Sequence, residues 1–118
     1  MSINDIKSLD VSDIQVDSYL PDAEKIVKGT PHQNVWNAFS SRDEKFHAGV
    51  WDAQAGAWTV SYDEDEFCYI LEGESIIHDE SGQSKTVKAG DTFTIPAGFS
   101  GTWEVPKYCK KIYVIYEA

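Results

Sequence analysis

Asp63–Gly73 reads DEDEFCYILEG, four consecutive acids that run straight into an apolar, β-prone stretch closing on Glu-Gly. A strand period of two puts Glu66, Cys68 and Ile70 on one face. Asp63, Glu64 and Asp65 read as a solvated loop. Glu66 differs from them, because a carboxylate set between apolar strand neighbours is costly to bury unless something uses it.

Outward from this stretch, the chain from Asn34 onward is a series of short runs rich in β-branched and aromatic residues. They are NVWNAF, FHAGVWDA, AWTVSY, EFCYILEG, ESIIHD, KTVKAG, DTFTIPAG, GTWEVP and KKIYVIYEA, with SSRDEK, AQAG, YDEDE and DESGQS between them. None has a helical period, so about nine short strands in an all-β sandwich or barrel are expected. KKIYVIYEA is apolar on both faces, which predicts cover on both sides, from the barrel and from an arm or second subunit. Residues 1–33 show no sustained period and read as an extended N-terminal arm packing on the barrel or a partner subunit. Within it, SYLPDAEKIVKGTP predicts one helical turn, opened at Pro21-Asp22 and closed by Gly29. Residues 34–118 form the domain proper.

The 118 residues carry 20 acids against 10 basic residues, a net charge of −10, with 42% hydrophobic residues. That describes one folded domain with an acidic surface, a poor partner for phosphate backbones or anionic lipid. Lys107, Lys110 and Lys111 read as edge or turn decoration. The N-terminus lacks the basic start and apolar stretch of a signal peptide. A cytoplasmic location and two reduced thiols, Cys68 and Cys109, are expected.

Two stretches go further. EFCYILEGE, with Glu66 seven residues before Gly73, and GDTFTIPAGFSGTWEV, with Gly90, Pro96 and Gly98, resemble the two motifs of the cupin superfamily. More narrowly, they and the terminal KKIYVIYE are similar to the cupin_3 group, small proteins named after the ureidoglycine aminohydrolase cupin domain. The resemblance covers residues 34–118 and implies a double-stranded β-helix, a jelly-roll barrel whose open end forms a ligand pocket.

It also implies a metal held by two histidines and a glutamate of the first motif and one histidine of the second. The glutamate falls on Glu66. The paired histidines fall on Thr59 and Ser61 or on Val60 and Tyr62, and the last on Gly101, so no inherited metal is expected. His47 and His78 read as surface or strand-end residues, and a non-standard site of Glu66 with His47 or His78 is the exception that would rescue a metal. His32 reads as a loop residue.

Without a metal, the expected ligand pocket consists of Glu66, Tyr62, Cys68, Trp103, Trp51 and Phe93, with Gly101 leaving room where the histidine would stand. Core packing is the competing role for the aromatics and the thiol. The expected function is binding of a small polar molecule with an amine, amino-acid or ureido group. The alternative is a metal-dependent enzyme resembling ureidoglycine aminohydrolase, with Mn, Fe, Ni or Zn as cofactor. A homodimer is expected in either case.

Overall fold

The computed structural model describes residues 1–118. Eight strands follow one another as β1 (Asp17–Tyr19), β2 (Ile26–Gly29), β3 (Gln33–Ser40), β4 (Phe46–Ser61), β5 (Asp65–Asp79), β6 (Ser84–Lys88), β7 (Thr92–Ile95) and β8 (Ser100–Tyr116). All pairings are antiparallel. The fold is the all-β cupin barrel that the motifs predict.

Strand count is where the molecule departs from the sequence reading. Three long strands replace six of the short ones, because sites that look like chain reversals are bends within a strand. In β4, AQAG is an irregularity between Gln54 and Gly56, not a turn. It lies opposite the stretch between Val105 and Tyr108 of β8, where Pro106 loses nothing by lacking a donor. In β5, Gly73 has φ +72° and begins an irregularity that ends at Ile76. A Cβ there would strike the Tyr108 carbonyl oxygen, so glycine answers both a left-handed backbone and a close strand approach.

Each bent strand therefore serves two layers. The first half of β4 pairs with β3 and with the second half of β8, which pairs in turn with the first half of β5 and thence with β7. The second half of β4 pairs with β2 and with the first half of β8, followed by the second half of β5 and then β6. Trp51 from the first layer meets Trp58 and Trp103 from the second, at ring distances of 6.2 and 5.8 Å. Ile70, Val87, Ile95, Val105, Cys68 and Cys109 complete the core. Burying such aromatics supplies most of the driving force in a domain this size.

The N-terminal segment divides. Residues 17–29 join the sheets, β1 on β3 and β2 on β4. The helical turn is a 3₁₀ turn at Ala23–Lys25 that ends at Ile26, and Gly29 ends β2 instead of closing a helix. Before them, a 3₁₀ turn at Ile3–Asp5 is capped reciprocally by Ser2 and Asp5, and Ile3 and Ile6 are exposed. On the last strand, Ile112 and Val114 are half-buried and Tyr116 is exposed, so its outer face is partly open. No helix is long and apolar enough to cross a membrane.

Candidate functional site

Alternation along β8 puts Cys109, Lys111, Tyr113 and Ile115 on the inward face. Lys111 is thus no edge decoration. It is 5% exposed, and its Nζ donates to Glu66 Oε2 at 2.7 Å. The register places Lys111 beside Trp51 on one side and Ile70 on the other. Its ammonium lies 4.7 Å from the Trp51 ring centroid and 4.5 Å from that of Trp103. Aromatic faces and a carboxylate together replace the water this cation has lost.

Glu66, 6% exposed, sits where the first motif predicts, pointing inward from β5. The same oxygen accepts from Cys68 Sγ at 3.1 Å. Burial chiefly, with the Glu66 charge and hydrogen bond adding to it against the pull of Lys111, pushes the Cys68 thiol up to about 12. Cys68 is a neutral donor, not a nucleophile. Burial works to lower the pKa of Lys111, yet the charge of Glu66, with Cys68 and Tyr62, outweighs it and holds the ammonium above its ordinary value.

A cavity of about 380 Å³ opens on this pair. Trp51, Trp58, Trp103 and Tyr62 form aromatic walls, and Gln33, Asn37 and Tyr113 contribute polar groups. These groups are tied to one another. Gln33 Oε1 accepts from Trp51 Nε1 at 2.8 Å and from Tyr19 OH at 3.0 Å, while Tyr113 OH donates to Asn37 Oδ1 at 2.6 Å. Trp103 is fixed by a 2.9 Å bond from Nε1 to Ser75 Oγ. A larger outer cleft shares Tyr19, Gln33, Trp58, Val60 and Tyr62 with the cavity and is also lined by Asp22, Lys25, Glu64, Asp79 and Glu80.

Of the residues expected to form a pocket, Glu66, Tyr62, Trp51 and Trp103 line this cavity. Cys68 is fully buried beside Glu66 and does not line it. Phe93 packs on Trp103 at 6.5 Å but lines a separate groove with Ile77, Pro96 and Phe99. The sequence reading missed Lys111, Gln33, Tyr19, Trp58 and Tyr113. For Lys111 the sequence offers no signal of its own, since Lys110 shares the face of Ile112 and Val114 just as Lys111 shares that of Tyr113 and Ile115.

The metal that cupin motifs imply does not fit these residues. No group of three His, Cys, Asp or Glu side chains converges anywhere in the molecule. His47 reaches the cavity lining, but Nε2 bonds the Glu44 carbonyl at 2.9 Å and Nδ1 the Ser40 hydroxyl at 2.8 Å. His78 bonds Glu104 at 2.9 Å. Gly101 leaves no room for a ligand, since a Cβ there would strike the His78 carbonyl oxygen. The cation beside Glu66 is the lysine.

A model of the EutQ-like cupin domain family, Cupin_3, matches residues 40–113. The chain belongs to this family. Among solved structures, this EutQ-like cupin is similar to a Pseudomonas syringae pv. tomato protein of unknown function in the DUF861 family. The two share 25% identity over 91% of this chain with a TM-score of 0.79, and the chain spans 46% of that protein's length. The Clostridium difficile EutQ protein shares its fold at 21% identity, over 99% of this chain and 84% of that one, with a TM-score of 0.73. A putative ethanolamine utilization protein from Salmonella typhimurium does so at 21% identity, over 89% and 96%, with a TM-score of 0.68. No curated protein matches the EutQ-like cupin in sequence.

Proposed function

We propose that this EutQ-like cupin binds a small polar molecule in the barrel cavity, without a metal. The observation that carries the reading is the Glu66–Lys111 pair, buried at the floor of an aromatic-walled cavity whose 380 Å³ lies within the range of small-ligand sites. A protein that needed only a core would fill such a space with apolar side chains. A buried pair is often no more stabilising than they are. The outer cleft, which shares five residues with the cavity, supplies an entry path.

Glu66, Lys111, Tyr62, Trp51 and Trp103 are the proposed contact residues. Amines, amino acids and ureido compounds make up the ligand panel, and ethanolamine, named in the Salmonella relative, is one of its amines. The second reading from the sequence, a metal-dependent aminohydrolase, needs donors that positions 59–62 and 101 do not provide. In the same proposal the protein is a cytoplasmic homodimer, with the exposed Ile3 and Ile6 available to a second copy. Deletion of residues 1–16 followed by mass measurement in solution tests that part.

The binding function is tested by thermal shift and by NMR of the tryptophan indole groups across the panel. A ligand that raises Tm and moves the Trp51 and Trp103 indole resonances supports it. A panel that moves neither overturns it.

A further inference from the structure

Anything entering the cavity meets two opposite charges that already neutralise each other. Glu66 Oε2 accepts from both Lys111 and Cys68. The other oxygen, Oε1, takes no hydrogen bond from the chain, and because no fully buried side-chain oxygen or nitrogen is left unpartnered, Oε1 opens on accessible space. Lys111 gives one N–H to Glu66 and bonds no other oxygen, its remaining charge resting against the two indole faces. Glu66 and Lys111 both line the cavity, and Glu66 also borders a groove with Phe67, Ile95 and Pro96, so a partly exposed acceptor stands next to a lysine whose one oxygen partner is Glu66.

Among the rest of the lining, Tyr62 and Tyr113 hold their protons. Burial holds Tyr62 above the ordinary tyrosine range, and burial with the Glu66 charge pushes Tyr113 up to about 12. Tyr19 is tied to Gln33, and both nitrogens of His47 are engaged at the rim. A cationic ligand would add a charge beside Lys111 that Glu66, already paired, no longer balances. An anionic one would meet Glu66. Either leaves an unbalanced charge in a poorly solvated site, which is costly.

Building on the binding function above, we infer that the cavity takes an uncharged group that carries N–H next to C=O, a carboxamide or ureido group. Its carbonyl oxygen accepts from Lys111 Nζ, and its N–H donates to Glu66 Oε1. Bare amines and carboxylates are discriminated against, which narrows the ligand class and removes ethanolamine from the favoured set. Lys111 is the fixed cation of the site, in the position where the cupin motifs would lead one to look for a metal.

The test is titration of the full chain at pH 7 with methylurea and acetamide, against methylammonium, ethanolamine and propionate, read by calorimetry and by the indole and Lys111 ammonium resonances. The uncharged pair is expected to bind at least about tenfold more tightly than the charged compounds, and to shift the Lys111 Nζ resonance. The double variant Glu66→Met, Lys111→Met, which leaves no lone buried charge, is expected to lose that binding by more than about tenfold. An amine or carboxylate that binds the cavity as tightly as methylurea overturns this inference and leaves the binding function standing. Methylurea binding without a shift at Lys111 also overturns it, whether or not the double variant folds. Silence from every compound overturns this inference, and the binding function falls with it when the amino acids of the panel are silent as well.

Discussion

Two charge clusters tie the strands of this barrel together, and they have little in common beyond distance. Inside, Lys111 meets Glu66 at 2.7 Å with both side chains 6% exposed. Outside, Glu104 takes His78 at 2.9 Å and Lys28 at 3.4 Å, and the lysine is 69% exposed. Water competes for every charge of the outer cluster and screens it, so its worth is small. The inner pair has given up its water, and each partner depends on the other. Burial, more than contact length, sets what a charge pair does.

The largest effect expected comes from breaking the inner pair. Lys111→Met leaves Glu66 alone in the core and should cost about 3–5 kcal/mol in urea denaturation. Adding Glu66→Met should recover most of that loss, and a double variant no better than the single one would refute the account of the pair.

Gly101 sharpens the comparison, because it lies against the backbone of His78 and so under the outer cluster. Gly101→Ala forces a Cβ into the His78 carbonyl and should cost about 1–3 kcal/mol by the same measurement, more than removing any charge nearby. Equal stability would mean that β5 and β8 part easily there.

A third effect is specific to the inner cluster and is seen in alkali. The Cys68 thiol has an ordinary value of 9.0 and is held up to about 12 in the fold. Between those values the unfolded chain has lost a proton that the folded one keeps. Stability therefore falls as pH rises from 9 to 12, by up to about 1.4 kcal/mol per pH unit from this group. Cys68→Ala should flatten that part of the curve. An unchanged slope would assign the alkaline loss to the other groups that the fold holds up, Cys109, Lys111 and the tyrosines.

The smallest effect belongs to the outer cluster. Glu104→Gln should change stability by about 0.2–1 kcal/mol, less in high salt. A loss as large as that of Lys111→Met would erase the distinction between the two clusters.

Much of this architecture could be read along the chain. The period-two face of Glu66, Cys68 and Ile70 and the glycines and proline of the second motif announced the barrel, and Glu66 stood out as the acid of its stretch that turns inward. Bends were harder to read, because Gly56, Gly73 and Pro106 look the same in sequence whether a strand reverses or only kinks. Aromatic residues were ambiguous for a similar reason. Trp51 and Trp103 line the cavity while Phe93 lies on the far side of Trp103, and alternation cannot say which side of a neighbour a ring takes.

What the sequence by itself determined is local: strand periodicity, the motif spacing, an inward Glu66, and the absence of histidines where a cupin metal would need them. These follow from backbone geometry over a few residues. What only the tertiary structure decided is that Lys111, far along the chain from Glu66, becomes its partner and that two indoles close on the resulting ammonium. That outcome depends on the register of β8 between β4 and β5, fixed by the packing of both layers at once. No local pattern carries it.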